Sequence, residues 1–199
     1  MRPCEAAKEP MKHNTQQAGP SPVMDATAIE KSLRRMAHEI VEQTRDDRLL
    51  VLAGIPTRGA VLAVRLASLI ESIGARPLFC GTIDVSMHRD DLATRRRVAA
   101  LQPTRLPVAI DGAELILVDD VFFTGRTVRA ALDAVSSFGR PARIRLAVLV
   151  DRGHRELPLR ADFVGKNIPT APGDRVRVRL EESDSESDSV QLVHPEACP

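Results

Sequence analysis

Tryptophan and tyrosine are absent from the 199 residues, and five phenylalanines are the entire aromatic content. The stacking platforms on which single-stranded bases usually sit are therefore nearly missing, and no RNA-binding module signature replaces them. The three cysteines, Cys4, Cys80 and Cys198, are scattered, which excludes a disulfide framework and metal-ligand spacing. Apolar runs are strand-sized, too short to cross a membrane. The first two dozen residues lack the apolar core of a secretion signal, so a cytoplasmic protein is expected. No serine or cysteine has a recognisable base partner, and nothing points to a covalent nucleophile. What remains is 43% hydrophobic and 28% charged, the make-up of a globular domain, with length for one well-buried core rather than two. A net charge of +1 hides an asymmetry: Glu181, Glu182, Asp184, Glu186 and Asp188 crowd one short stretch and leave +6 on the rest. A modestly basic body permits an anionic partner without requiring one.

The chain is organised around Leu115-Ile116-Leu117-Val118-Asp119-Asp120-Val121-Phe122-Phe123-Thr124-Gly125-Arg126-Thr127. Four branched apolar residues in a row read as a strand buried on both faces, as in a parallel sheet. Two carboxylates follow, then a turn with two hydroxyls, a glycine and successive backbone N–H groups. A helical pattern then starts, with Val128, Ala131, Leu132 and Val135 on one face. A turn that opens a helix in this way cradles phosphate through its amides and the positive helix end. An acid pair beside it repels bare phosphate but suits the hydroxyls of an attached sugar, so the ligand implied is a ribose 5-phosphate.

The same strand, turn and helix order occurs earlier. Leu49 to Ala53 reads as a buried strand running into Gly54-Ile55-Pro56-Thr57-Arg58-Gly59, and Leu62, Leu66, Leu69 and Ile73 mark a helix ended by Gly74. Open parallel sheets bind ligands at the carboxyl ends of their strands, so both turns are placed on one crevice. Residues 1 to 24, with Pro3, Pro10, Pro20 and Pro22 among polar residues, read as a disordered extension ahead of a single domain over 25–199. Thr27 with Glu30 forms a capping-box pattern for a first helix whose apolar face is Ile29, Leu33, Met36 and Ile40. Lys31, Arg34, Arg35 and His38 fall on its opposite face, which by charge alone is equally a solvated one. Leu78 to Met87 forms a third apolar stretch, and the arginine-rich segment from His88 to about Pro107 has the length of a functional loop. Ile144 to Val150 supplies another buried strand. Arg175 to Leu180 alternates basic and apolar residues as a half-exposed strand, and Val190 to Val193 pairs with it across the acidic turn.

The Asp119 to Thr127 stretch resembles the signature of the type I phosphoribosyltransferases, which bind 5-phosphoribosyl-1-pyrophosphate (PRPP). Gly54 to Gly59, Ile83-Asp84 ahead of Arg89-Asp90-Asp91, Asp151-Arg152-Gly153-His154-Arg155-Glu156-Leu157-Pro158 and Ala161 to Thr170 narrow the resemblance. Together they are similar to the bifunctional pyrimidine-operon regulator and uracil phosphoribosyltransferase family over residues 25 to 180. The resemblance implies an α/β fold, a central mostly parallel twisted sheet flanked by helices with a small hood. It implies transfer of ribosyl phosphate from PRPP to uracil, giving UMP, with magnesium held mainly through PRPP rather than by protein ligands. Carried over by position, Leu115 to Thr127 is the PRPP-binding segment, in which Asp119 and Asp120 take the ribose hydroxyls and Thr124, Gly125, Arg126 and Thr127 the 5-phosphate. Thr57, Arg58 and Gly59 take the diphosphate, so that Asp119, Asp120 and Arg58 are the catalytic set. Arg89, Asp90 and Asp91 belong to a flexible loop that closes over PRPP, and Val164, Lys166 and Ile168 to the base-binding region.

The family also implies a second partner, a pyrimidine-gene mRNA hairpin bound in the presence of UMP. Arg35, His38, His154, Arg160, Lys166 and Thr170 match its RNA-binding positions. Relatives form dimers and larger assemblies, so a homo-oligomer is expected. The chain departs from them at His88, where a tyrosine is usual, and at Arg34 and Gln43. A purine-salvage phosphoribosyltransferase would share both phosphate turns, and an RNA regulator with vestigial catalysis would share the whole chain, so both stay open on sequence.

Overall fold

A computed structural model of the protein describes residues 22–45, 47–74, 78–88 and 103–194. The elements in chain order are β1 (Met24–Asp25), α1 (Ala26–Gln43), β2 (Leu50–Gly54), α2 (Arg58–Ser72), β3 (Leu78–Thr82), β4 (Glu114–Phe122), α3 (Arg126–Val135), β5 (Arg143–Asp151), β6 (Phe163–Asn167), β7 (Arg175–Arg179), the single turn α4 (Glu181–Asp184) and β8 (Ser189–Val193). Five strands form a parallel sheet in the order β3-β2-β4-β5-β6, and β1-β8-β7 form a separate antiparallel sheet, the hood.

The unbroken apolar runs are explained by two faces. Leu50, Leu52, Ile116, Val118, Ala147 and Leu149 point to the side covered by α1 and α2, together with the hood residues Val178, Leu180 and Val190. Their neighbours Val51, Ala53, Leu115, Leu117 and Val148 point to the α3 side. Each such side chain taken out of water contributes roughly 1.5–3 kcal/mol, so alternation would have left one face of the sheet unpaid for in free energy. α1 buries Ile29, Leu33, Met36 and Ile40 as its period predicts. Its N-cap, however, is Asp25 rather than Thr27: the Asp25 carboxylate accepts from the Ala28 amide at 2.7 Å. Val23 and Met24, expected in the extension, belong to the fold: the Val23 amide donates to the Val190 carbonyl at 2.7 Å and Met24 is buried under the hood. Of the apolar stretch from Leu78, only Leu78–Thr82 is strand, followed by a short 3-10 turn at Ser86–His88. Gly74, with φ of 76°, ends α2 where a side chain would be strained.

Position in the sheet decides where a ligand can sit. From β2 the chain moves outward to β3 and then returns to the other side of β2 as β4, so the direction of winding reverses between β2 and β4. The crevice outside the carboxyl ends of those two strands is the topological switch point.

Candidate active site

Both sequence-predicted turns open into that crevice. β2 delivers Gly54 to Gly59, and the turn is fastened to β4 by the Ile55 amide, which donates to the Val118 carbonyl at 2.8 Å. The fit is backbone to backbone. A Cβ on Gly59 would meet the Val118 oxygen at 2.4 Å and the Asp119 Cα at 3.1 Å, and one on Gly54 would meet the Ala60 Cα at 2.4 Å. Only glycine permits α2 to start so close to β4, and this places Arg58, the first residue of α2, beside the acid pair. The Pro56–Thr57 peptide within the turn is cis.

At the end of β4, Asp119 is buried and Asp120 half-buried. Each carboxylate accepts from the next backbone amide, Asp119 from Asp120 N at 2.9 Å and Asp120 from Val121 N at 3.0 Å. One oxygen of each is thus fixed by the chain itself. Leu115, Ile116, Leu117 and Val118 are wholly buried in the two cores, so within the predicted PRPP segment their side chains hold the strand and do not face the crevice. Gly125 adopts φ of 91° as it caps α3, and the Thr124 hydroxyl accepts from the Arg126 amide at 3.4 Å. The turn is backed from behind: the Glu156 and Leu157 amides donate to the Thr124 carbonyl, and Glu156 accepts from Arg126 at 2.7 Å. Beyond the turn, the Arg152 guanidinium lies 4.0 Å over the Phe123 ring, and His154 meets the same ring edge-on.

A cleft of about 490 Å3 is lined by Arg58 and Asp120 on the sheet side and by β7 and Asp184 on the hood side. Arg58 donates to Asp184 through Nε at 3.0 Å and Nη2 at 2.5 Å. The pairing holds the Asp184 carboxyl down to about 2 and raises Arg58 above its ordinary value, with a smaller contribution from Asp120. Sequence reasoning missed this contact. Its one signal was the acidic run at Glu181 to Asp188 in an otherwise basic chain.

The remaining predicted residues fall elsewhere. Arg35 donates to the carbonyls of Val164 at 2.9 Å and Gly165 at 2.7 Å and pairs with Glu39, and His38 is exposed one turn further along α1. Lys166, exposed on the edge strand β6, donates to the Val23 carbonyl at 3.0 Å. At the far end of β6 the His154 ring meets the Thr170 carbonyl at 2.7 Å, and the Thr170 hydroxyl donates to the Arg152 carbonyl. Arg160 is exposed in the loop before β6. Val164 is partly buried and Ile168 lies in the core, so of the predicted base-binding side chains only Lys166 is exposed. Arg89, Asp90 and Asp91 lie outside the described residues, as do residues 1–21.

The phosphoribosyl transferase domain family matches residues 22–183 of the chain. A protein of Roseiflexus named bifunctional protein PyrR is 49% identical over 179 residues, covering 90% of this chain and 98% of its own. Another of that name from Leifsonia xyli is 54% identical, covering 82% of this chain and 92% of its own. The chain belongs to the PyrR family of phosphoribosyl transferase domain proteins. Its fold is shared more widely: the hypoxanthine phosphoribosyltransferase of Trypanosoma cruzi superposes with a TM-score of 0.66 at 20% identity, covering 88% of this chain and 97% of that one. In this chain the two turns follow β2 and β4, neighbouring parallel strands whose carboxyl ends lie side by side. No helix among the described residues is long and apolar enough to cross a membrane.

Proposed function

We propose that the protein is a uracil phosphoribosyltransferase that also regulates pyrimidine genes by binding an mRNA hairpin when UMP is present. The observation that carries the catalytic half is that Arg58 and Asp120, from the ends of neighbouring strands, line one cleft at the switch point, with the Thr124 to Thr127 turn opening α3 directly after the strand that bears Asp120. Chain-long identity near one half to proteins named bifunctional PyrR favours uracil over a purine base, since the likeness to hypoxanthine enzymes extends only to the fold.

In the reaction the bond between C1 of the ribose and the pyrophosphate oxygen breaks, and a bond from uracil N1 to C1 forms. The N1 proton is lost to solvent or to the departing pyrophosphate. Positive charge builds on the sugar and negative charge on the leaving group. Asp119 and Asp120 hold the ribose hydroxyls and favour the cationic ring, while the Thr124 to Thr127 amides hold the 5-phosphate. Arg58 pairs with the leaving diphosphate through its planar fork. No nucleophilic side chain is required, because the acceptor is the base itself.

Among the described residues no three histidine, cysteine or acidic side chains converge as a metal cage. Magnesium, which keeps several waters and takes substrate phosphates, would be held mainly through PRPP, and the Asp120 carboxylate facing the cleft is compatible with its charge. When bound with PRPP it supplies charge neutralisation at the diphosphate.

For the regulatory half, Arg35 and Lys166 place positive charge on α1 and β6 and Arg160 adds one in the loop before β6, while His38, His154 and Thr170 supply polar groups beside them. Contacts from such residues go mainly to phosphates and fix the RNA without reading its sequence. The protein acts in the cytoplasm as a homo-oligomer. The double variant Asp119→Asn and Asp120→Asn tests the catalytic half. Each asparagine keeps the oxygen that accepts the next amide, so the fold survives, and UMP formation from PRPP and uracil falls by more than about a hundredfold. An unchanged rate in a folded double variant overturns the assignment.

A further inference from the structure

Arg58 is offered to the cleft already occupied. Its Nε and Nη2 meet both oxygens of Asp184, the fork-to-fork geometry in which a guanidinium also binds a phosphate. Asp184 does not depend on this partner alone: its Oδ2 accepts from the Leu180 amide at 2.9 Å and from the Ser183 hydroxyl at 3.1 Å. Loss of Arg58 would leave that carboxylate hydrogen-bonded and partly wet rather than stranded. A second arginine secures the same hood segment. Arg65, two turns along α2 from Arg58, donates through Nε to Glu182 at 2.8 Å and through Nη2 at 2.5 Å, and also pairs with Asp188. Neither Arg65 nor its partners line the 490 Å3 cleft, whereas Arg58 and Asp184 both do. The hood thus has a contact inside the crevice that a ligand can compete for, and one outside it that a ligand leaves alone.

We propose that Asp184 is a placeholder for the diphosphate on Arg58, holding the guanidinium fork at the crevice in the ligand-free protein and giving it up when PRPP or pyrophosphate enters. The inference rests on the assignment of Arg58 to the diphosphate. A diphosphate carries more charge than a carboxylate and presents the same paired oxygens, so it wins the exchange. Asp184 weakens binding while it keeps Arg58 in place, and the Arg65 pairs keep α4 on the body as the exchange occurs.

Asp184→Asn in the full chain tests this, because asparagine keeps an acceptor for the Leu180 amide but cannot pair ionically with Arg58. Titration calorimetry with magnesium pyrophosphate should show affinity rising about fivefold, the equivalent of about 1 kcal/mol, as the competing ion pair is lost. The KM for PRPP should fall with no gain in kcat. Glu182→Gln is the control, since it removes a negative charge from the same turn but one paired with Arg65. Pyrophosphate affinity unchanged or weakened in Asp184→Asn overturns the placeholder. So does an equal gain in Glu182→Gln, which would mean only a change in the general field. Should Asp184→Asn fail to fold, Asp184→Ser, whose hydroxyl is also an acceptor, carries the same expectation and the same refutation. Wild-type protein that binds neither PRPP nor pyrophosphate overturns the assignment of Arg58, and the placeholder with it. Wild-type binding with no change in the variants overturns the placeholder alone.

Discussion

Replacing Gly59 by alanine drives a methyl group into backbone on the far side of the crevice. The added Cβ would lie 2.4 Å from the Val118 carbonyl oxygen and 3.1 Å from the Asp119 Cα. Neither atom belongs to a side chain that can rotate away. Val118 is buried in the central strand, and its carbonyl already accepts from the Ile55 amide at 2.8 Å. Restoring ordinary contact therefore requires the start of α2 to move from β4 by about an ångström, a displacement that by itself can cost about a hundredfold in rate when catalytic groups ride on it. Arg58 rides on it directly. Overpacking of this kind also costs about 1–3 kcal/mol of stability. Urea unfolding should thus show a lower midpoint, and a continuous assay of UMP formation should show kcat/KM reduced by roughly two orders of magnitude in protein that is still folded. Wild-type stability together with wild-type kcat/KM would refute the claim that the glycine fixes the distance between the two turns. Stability lost with activity retained would show that α2 can shift without carrying Arg58 away from the site.

Two further outcomes follow from charge. The Asp184 carboxyl, held near 2 by Arg58, lies below its ordinary value, so the pair stabilises the fold above about pH 4 and that contribution disappears as the pH falls towards 2. Both side chains are partly exposed, which reduces the effect to about 1 kcal/mol; the difference in urea midpoint between wild type and Asp184→Asn should be constant at neutral pH and vanish near pH 2. Arg35→Ala should weaken binding of the leader RNA of pyrimidine genes and flatten its salt dependence by about one unit of logarithmic slope, while PRPP turnover stays near wild type. The variant also loses two bonds to β6 carbonyls, which should cost no more than about 2 kcal/mol in thermal unfolding.

The difference between the Thr27 and Asp25 caps marks where local reading stops. Both residues have an oxygen suited to capping α1, and Thr27 even has Glu30 at the right spacing. What selects Asp25 is its place in β1, paired with Ser189 of β8, which holds its backbone extended at φ −90° and ψ 178° just where the helix begins. That strand is two residues long and exists only because β8, more than 160 residues away, lies beside it. The same limit applies at Arg58 and Asp184, separated by 126 residues, where composition shows an acidic run and a basic body but not which carboxylate meets which guanidinium.

By contrast, Leu115 to Val118, the acid pair, the two glycine-bounded turns and the apolar faces of α1 and α2 were legible in the sequence, because burial on both sides of a strand and helical periodicity leave their mark within a few residues. The sequence alone therefore determined the building blocks and the chemistry each can carry. Only the tertiary structure decided that β4 returns beside β2, so that Gly59 touches Val118 and Arg58 stands over the crevice with Asp120. Strand order is set by the packing of both helical layers at once, a condition that no short window of the chain contains.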